Sequence, residues 1–149
     1  MDVERAFAQM PFANHVGVEL TTAEPGHAEG VLSLADEHSS NPNTLVAHGA
    51  VAYTLADTVG GAAVVAAVED VAPTIDMRID YLAPATGGAL HASADVVRLG
   101  SSVATVNVSV TDDEGTDIAS ARGVYKTGGG DGRTAWNDDD GSPSPDELE

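Results

Sequence analysis

Residues His48 to Val68 constrain this chain more than any other stretch. They are almost wholly Ala, Val, Gly, Leu and Thr, and Asp57 is the only acid among them. A helix that is apolar on every side has to be buried on every side. The run is near the ~20 residues that a bilayer span needs. A central acid and the glycines Gly49, Gly60 and Gly61 argue against a membrane span. A carboxylate rarely enters a protein interior without a partner or a task. At the start of the run, Asn43, His48 and Gly49 lie where unpaired backbone N–H groups and the helix dipole favour negative charge. Two readings stay open on these residues: a core helix whose Asp57 meets a buried partner, or a catalytic site.

The flanking segments supply the wrapping. Residues 2–10 fit one short helix with Val3, Phe7 and Met10 on one side, closed by Pro11. Val16, Val18 and Leu20 alternate with polar or small residues, as in a strand, and Pro25-Gly26 marks a turn. Ala28, Gly30, Leu32 and Leu34 form a second alternating set, and a polar loop from Ala35 to Thr44 leads into the helix. After Asp70, Ile75, Met77, Ile79 and Tyr81 alternate strictly with Thr74, Asp76, Arg78 and Asp80. Three further strands follow: Leu90 to Val96, Ala104 to Val110, and Thr116 to Lys126, the last with a small inward face of Ala119, Ala121 and Gly123. One apolar face per strand predicts a half-covered antiparallel sheet against a single long helix. From Thr127 to Glu149 the segment has five glycines, seven acids and no apolar period, which predicts a disordered tail after a 1–126 domain. Trp136 is the lone aromatic in it.

Charge and composition exclude several function classes. The chain carries 24 acids against 6 Lys plus Arg, a formal net charge of −18. Such a surface repels nucleic acid and anionic lipid, so neither is expected as a partner. Acids in nearly every loop point to solvation in high salt. Without cysteine there is no disulfide, thiolate metal site or cysteine nucleophile. The histidines, His15, His27, His38, His48 and His91, lack metal-ligand spacing, so no metal is expected. The first ten residues are charged and lack a signal-peptide core, so a cytoplasmic protein is expected.

The order of elements, with HGAVAYTLAD (His48–Asp57), TIDMRIDYLAPATGG (Thr74–Gly88), RLGSS (Arg98–Ser102) and DDEGTDIASARGVY (Asp112–Tyr125), resembles the hotdog fold. Within it the chain is similar to acyl-CoA thioesterases of the phenylacetate-degradation type, over roughly residues 14–126. The resemblance implies an α+β fold, a long central helix wrapped by an antiparallel sheet of about six strands. It also implies a homodimer, often paired into tetramers, that hydrolyses an acyl-CoA substrate without a cofactor. Two departures stand out. The family's His-Gly-Gly here reads His48-Gly49-Ala50, and its upstream asparagine falls at Asn43 if one residue has been deleted, with Pro42 and Asn41 before it.

Thioester hydrolysis then distributes roles. Asp57 is the candidate base for water, or the direct nucleophile. The Gly49 N–H is the candidate oxyanion donor, His48 and Asn43 position carbonyl or water, and Thr74 matches a family hydroxyl beside the acid. His48 has the alternative role of capping the helix. Arg98, Gly100, Ser101 and Arg78, with Arg122, are candidates for the phosphates of coenzyme A, each also open to a surface ion pair. Gly60 and Gly61 make room for a ligand or for close packing. Phe7, Phe12, Tyr53 and Tyr81 are expected mainly in the core. Gly49 and Asp57 are eight residues apart, or about 12 Å of helix rise, too far to share one carbonyl. The catalytic reading therefore needs Asp57 from a second chain. A hotdog hydratase or dehydratase and a non-catalytic acyl-CoA sensor are the competing functions.

Overall fold

The computed structural model describes residues 1–128. The expected tail and Trp136 therefore lie outside the described residues, apart from Thr127 and Gly128. Two short helices, α1 (Val3–Phe7) and α2 (Pro11–Val16), precede the strands β1 (Val18–Glu24) and β2 (His27–Ser33). A 3-10 turn at Asp36–His38 leads to the long helix α3 (Gly49–Val68), followed by β3 (Thr74–Tyr81), β4 (Ala89–Leu99), β5 (Val103–Thr111) and β6 (Asp117–Lys126). The strands form one six-stranded sheet in the order β1-β2-β4-β5-β6-β3, and every neighbouring pair is antiparallel. This is the hotdog arrangement, helix inside and sheet around it.

Pro11 does not close a helix. α1 already ends at Phe7, and Pro11 opens α2, where its missing N–H costs nothing and its fixed φ suits the first helical position. Residues 2–10 are thus not one helix: Met10 is the exposed N-cap of α2, while Val3 and Phe7 meet the core. Val16 belongs to α2 rather than to the first strand. Gly17, at φ 106°, ends α2 in the left-handed region, which glycine enters without Cβ strain.

The core lies between α3 and the inward sheet face. Leu55, Val59, Ala62, Ala63 and Val64 pack against Ala28, Leu32, Leu90, Ala94, Val106 and Val110, all fully buried. α3 is long and apolar enough to cross a membrane, yet here the sheet covers most of it. Its cover is incomplete along one line. β3 forms one edge of the sheet, and its expected inward face is only half covered: Met77 is buried, but Ile75 is 56% exposed and Tyr81 is 53% exposed. Tyr53 and Asp57 of α3 are also partly open to solvent on that side. Asp57 is thus half-buried within one chain rather than sealed in the core.

Candidate active site

The start of α3 is held from below. The His38 ring is buried: its Nδ1 accepts from the Ala35 N–H at 2.9 Å, and its Nε2–H donates to the Val16 carbonyl at 2.6 Å. The His38 carbonyl accepts from the His48 N–H at 2.8 Å. His48 is the N-cap of α3, its Nδ1 accepting from the Ala50 N–H at 2.9 Å, so its ring performs the capping role. Among the described residues, no group accepts from the Gly49 N–H. That donor sits at the positive end of a 20-residue helix. Beside it is a cavity of about 400 Å³, lined by His48, Gly49, Ala52, Tyr81, Leu90 and Ile118 among others. The Tyr81 hydroxyl donates to the Gly49 carbonyl at 2.7 Å, and a Cβ on residue 49 would come 2.9 Å from that hydroxyl. A side chain there would push the Tyr81 hydroxyl aside.

Two turns along α3, Asp57 meets a pair of hydroxyls. Its Oδ1 accepts from the Thr74 Oγ1–H at 2.8 Å. The Tyr125 Oη lies 3.1 Å from the same Oδ1 and 2.9 Å from the Asp57 backbone carbonyl. The expected partnership of Asp57 with Thr74 is present, and Tyr125 joins it without having been assigned a role from sequence. Burial above all, then the Asp57 charge, pushes the Tyr125 hydroxyl well above the usual phenol range. Both effects favour the neutral hydroxyl, which can donate. Gly60 serves this ring: a Cβ there would come 2.5 Å from Tyr125 Oη, whereas one on Gly61 would make ordinary contact at 3.4 Å from Cε1. Close packing explains Gly60.

The remaining sequence candidates are more scattered. Asn43 lies at the exposed tip of the 39–47 loop, where its N–H donates to Asn41 Oδ1 at 2.8 Å. Among the described residues, no hydrogen bond links either asparagine side chain to His48 or Gly49. Arg78 is on the outer sheet face, directly opposite Arg122, whose Nε–H donates to Asn107 at 3.1 Å. Arg78 itself lies 3.7 Å from Asp80. Arg98 is on β4, three strands from β3 and so about 14 Å away. The Gly100–Ser101 turn closes on itself, with the Gly100 N–H on the Val103 carbonyl at 2.9 Å. These groups do not converge on a single phosphate cradle within one chain. A hollow of about 700 Å³ covers Arg78, Asn107 and Arg122 on the outer face, away from both Gly49 and Asp57. Phe12, Tyr53 and Tyr81 are not core residues: Phe12 is 67% exposed, and only Phe7 packs as expected.

A hydrogen-bond donor at a helix start above an apolar cavity, and a hydroxyl-supported carboxylate on an open face, are features that acyl-transfer chemistry uses. Comparison with known proteins agrees. Residues 46–119 match the family model described as Thioesterase superfamily. A Halobacterium salinarum protein, provisionally named an esterase, is 44% identical over 53% of this chain and 58% of its own length. The medium/long-chain acyl-CoA thioesterase YigI of Salmonella typhimurium is 28% identical over 80% of this chain and 86% of its own. A solved structure of a protein from the thioesterase superfamily superposes with a TM-score of 0.76 and 31% identity, covering 83% of this chain and 94% of that one. The chain belongs to the thioesterase superfamily and is a hotdog-fold thioesterase.

Proposed function

We propose that this protein hydrolyses an acyl-CoA thioester to the free acid and coenzyme A, at a site built from two copies of the chain. The observation that carries the reading is the Asp57–Thr74 hydrogen bond on the uncovered side of α3, next to the open edge of β3. A second copy seated there would bring its own Gly49 donor and cavity to Asp57. The alternative, one chain supplying both groups, is opposed by about 12 Å of helix rise. Homodimerisation through this face would cover Ile75, Tyr53 and Tyr81, and pairing of dimers could use the polar outer sheet face.

In this site the thioester oxygen accepts from the Gly49 N–H, and charge developing on it meets the positive end of the helix. Asp57 of the second copy takes a proton from water, whose oxygen bonds to the carbonyl carbon. The carbon–sulfur bond then breaks with its electron pair passing to sulfur. Thiols ionise near pH ~8.5, so coenzyme A leaves without a strong general acid. Ala52, Leu82, Pro84, Ala85, Leu90 and Ile118 make the cavity wall apolar, which suits a hydrocarbon acyl group. The medium/long-chain substrates in the name of the Salmonella relative support the same choice. The motifs quoted from the sequence support a phenylacetate-type subfamily. The net charge of −18 and the halobacterial relative support a salt-adapted chain.

The test combines thiol release from a panel of acyl-CoAs with complementation. Asp57→Asn should lower kcat by ~10² or more, the range of general acid–base contributions. Gly49→Pro deletes the backbone donor at a position where proline otherwise suits a helix. Gly49→Ala is its control, since alanine keeps the N–H but also meets Tyr81. In a mixed dimer of Asp57→Asn with Gly49→Pro, one site carries both defects and the other carries none. Random reassociation of equal amounts makes about half the dimers mixed, so roughly a quarter of wild-type activity should return. Verified mixed dimers with no recovered activity would refute the two-chain site.

A further inference from the structure

We propose that Tyr125 is a positioning residue for Asp57: together with Thr74 it ties up Oδ1, leaving Oδ2 as the oxygen that reacts. The inference rests on the reading of Asp57 as the catalytic carboxylate and adds to it which of its oxygens acts and what fixes that choice. Both hydroxyls converge on Oδ1, at 2.8 Å from Thr74 and 3.1 Å from Tyr125, while among the described residues no group bonds to Oδ2. Turning the carboxylate over would exchange the two oxygens and would first have to break both contacts. The Tyr125 hydroxyl has one proton and two acceptors, the Asp57 carbonyl and Oδ1, so it also ties the side chain to the backbone of its own helix turn.

The placement of Tyr125 is specific. Its ring is 1% exposed, and glycine stands at three positions that touch it, one of them on its own strand. A Cβ on Gly123 would come 2.6 Å from Cε2 and 2.8 Å from the Met77 methyl, in addition to the contacts at Gly60 and Gly61. Gly60 sits within an α-helix, where it costs about 1 kcal/mol of propensity relative to alanine. A ring that only filled space would serve as well as phenylalanine. Among the described residues, the hydroxyl instead reaches no acceptor other than Asp57. Whether Asp57 takes a proton from water or attacks the thioester, the same oxygen, Oδ2, is free to do so. Thr74 works from the β3 edge and Tyr125 from inside the sheet, so the carboxylate is gripped from two elements.

Tyr125→Phe keeps the ring and removes the hydroxyl. Expected is a roughly tenfold or larger fall in kcat, since hydrogen bonds to charged groups are the stronger ones, with KM changed less than about twofold and the thermal midpoint within a few degrees of wild type. A kcat within twofold of wild type overturns the proposal, as does a fall fully accounted for by loss of folded protein at the assay temperature. Asp57→Asn is measured alongside. If it is inactive while Tyr125→Phe is fully active, the positioning role fails and the carboxylate reading stands. If Asp57→Asn is itself active, the carboxylate reading fails and the proposal with it. Should Tyr125→Phe not fold, Gly60→Ala displaces the same hydroxyl from the helix side and should give the same kcat loss at unchanged KM.

Discussion

The slot that holds Tyr125 permits a stability prediction with a change of sign. In Gly60→Ala, the new Cβ would lie 2.5 Å from Tyr125 Oη. The ring cannot retreat freely, because Gly123 and Met77 close its other side. Overpacking of this kind costs about 1–3 kcal/mol, and displacing the hydroxyl forfeits about 1 kcal/mol of hydrogen bonding. Alanine returns about 1 kcal/mol of helix propensity. The net effect should be destabilisation by about 1–3 kcal/mol. In a Tyr125→Phe background the offending oxygen is gone. The nearest atoms to the same Cβ are then the ring carbon Cζ and Val108 Cγ2, both at 3.4 Å, which is ordinary contact. There, Gly60→Ala should be neutral or stabilising by up to about 1 kcal/mol, a coupling of roughly 1–4 kcal/mol between the two sites. Urea and thermal unfolding of the four variants, at one protein concentration and fixed high salt, measure it. At roughly 3 °C per kcal/mol the reversal is well resolved. Equal destabilisation by Gly60→Ala in both backgrounds would refute the assignment of Gly60 to Tyr125.

Two other outcomes concern the surface. With a net charge of −18, self-repulsion is strong in dilute buffer and screened by salt. Thermal midpoints should therefore rise from dilute to molar KCl, and a flat or falling series would remove the salt-adapted reading. His27 has a pKa raised above 6.5, first by its hydrogen bond to Asp95 and further by the Asp95 and Glu29 charges, against a smaller opposing effect of burial. Its protonated form is favoured by folding, so its contribution is complete below the unfolded pKa and is lost as pH rises through the folded one. The midpoint difference between wild type and His27→Ala should be widest near pH 5.5 and close by pH 9. A gap that widens with pH would contradict this pairing.

Much of this was legible in the sequence because period carries it. Leu90 to Val96 and Ala104 to Val110 alternate without interruption, and period two at that length leaves only a strand. The long helix was set by His48 to Val68, where no alternation competes. Thr74 was placed beside Asp57 by resemblance to the family. Pro11 misled because proline stops one helix and starts another with equal ease, and only the three-dimensional path tells which. Tyr81 was read as inward, correctly for its face, but that face extends beyond what one helix can cover. Strict alternation fails at Ile75, where a register shift between Thr74 and Asp76 turns Thr74, read on the opposite face, toward Asp57. Tyr125 carried a signal that was not used. Gly60, Gly61 and Gly123 together leave a gap that one large side chain must fill, and the aromatic two residues after Gly123 on the same strand face is in place to do so. Asn43 could not be placed because a loop tip has no period. Nor could sequence reveal His38, whose Nε2 finds its acceptor, the Val16 carbonyl, 22 residues away in the chain.

The loop before α3 is joined at its base. Ser39 pairs with Ala47 across an isolated bridge, and the Ser39 Oγ accepts from the Asn41 and Val46 N–H groups at 3.1 and 3.0 Å and lies 2.8 Å from the Thr44 carbonyl. The His48 N–H is anchored separately, on the His38 carbonyl. A segment clasped in this way is mechanically insulated: residues can be added or removed between Asn41 and Leu45 while the start of the helix keeps its place. Lengthening a closed loop costs only a slowly growing entropy. The tip is therefore the part of this framework whose length and display can change without moving the Gly49 N–H.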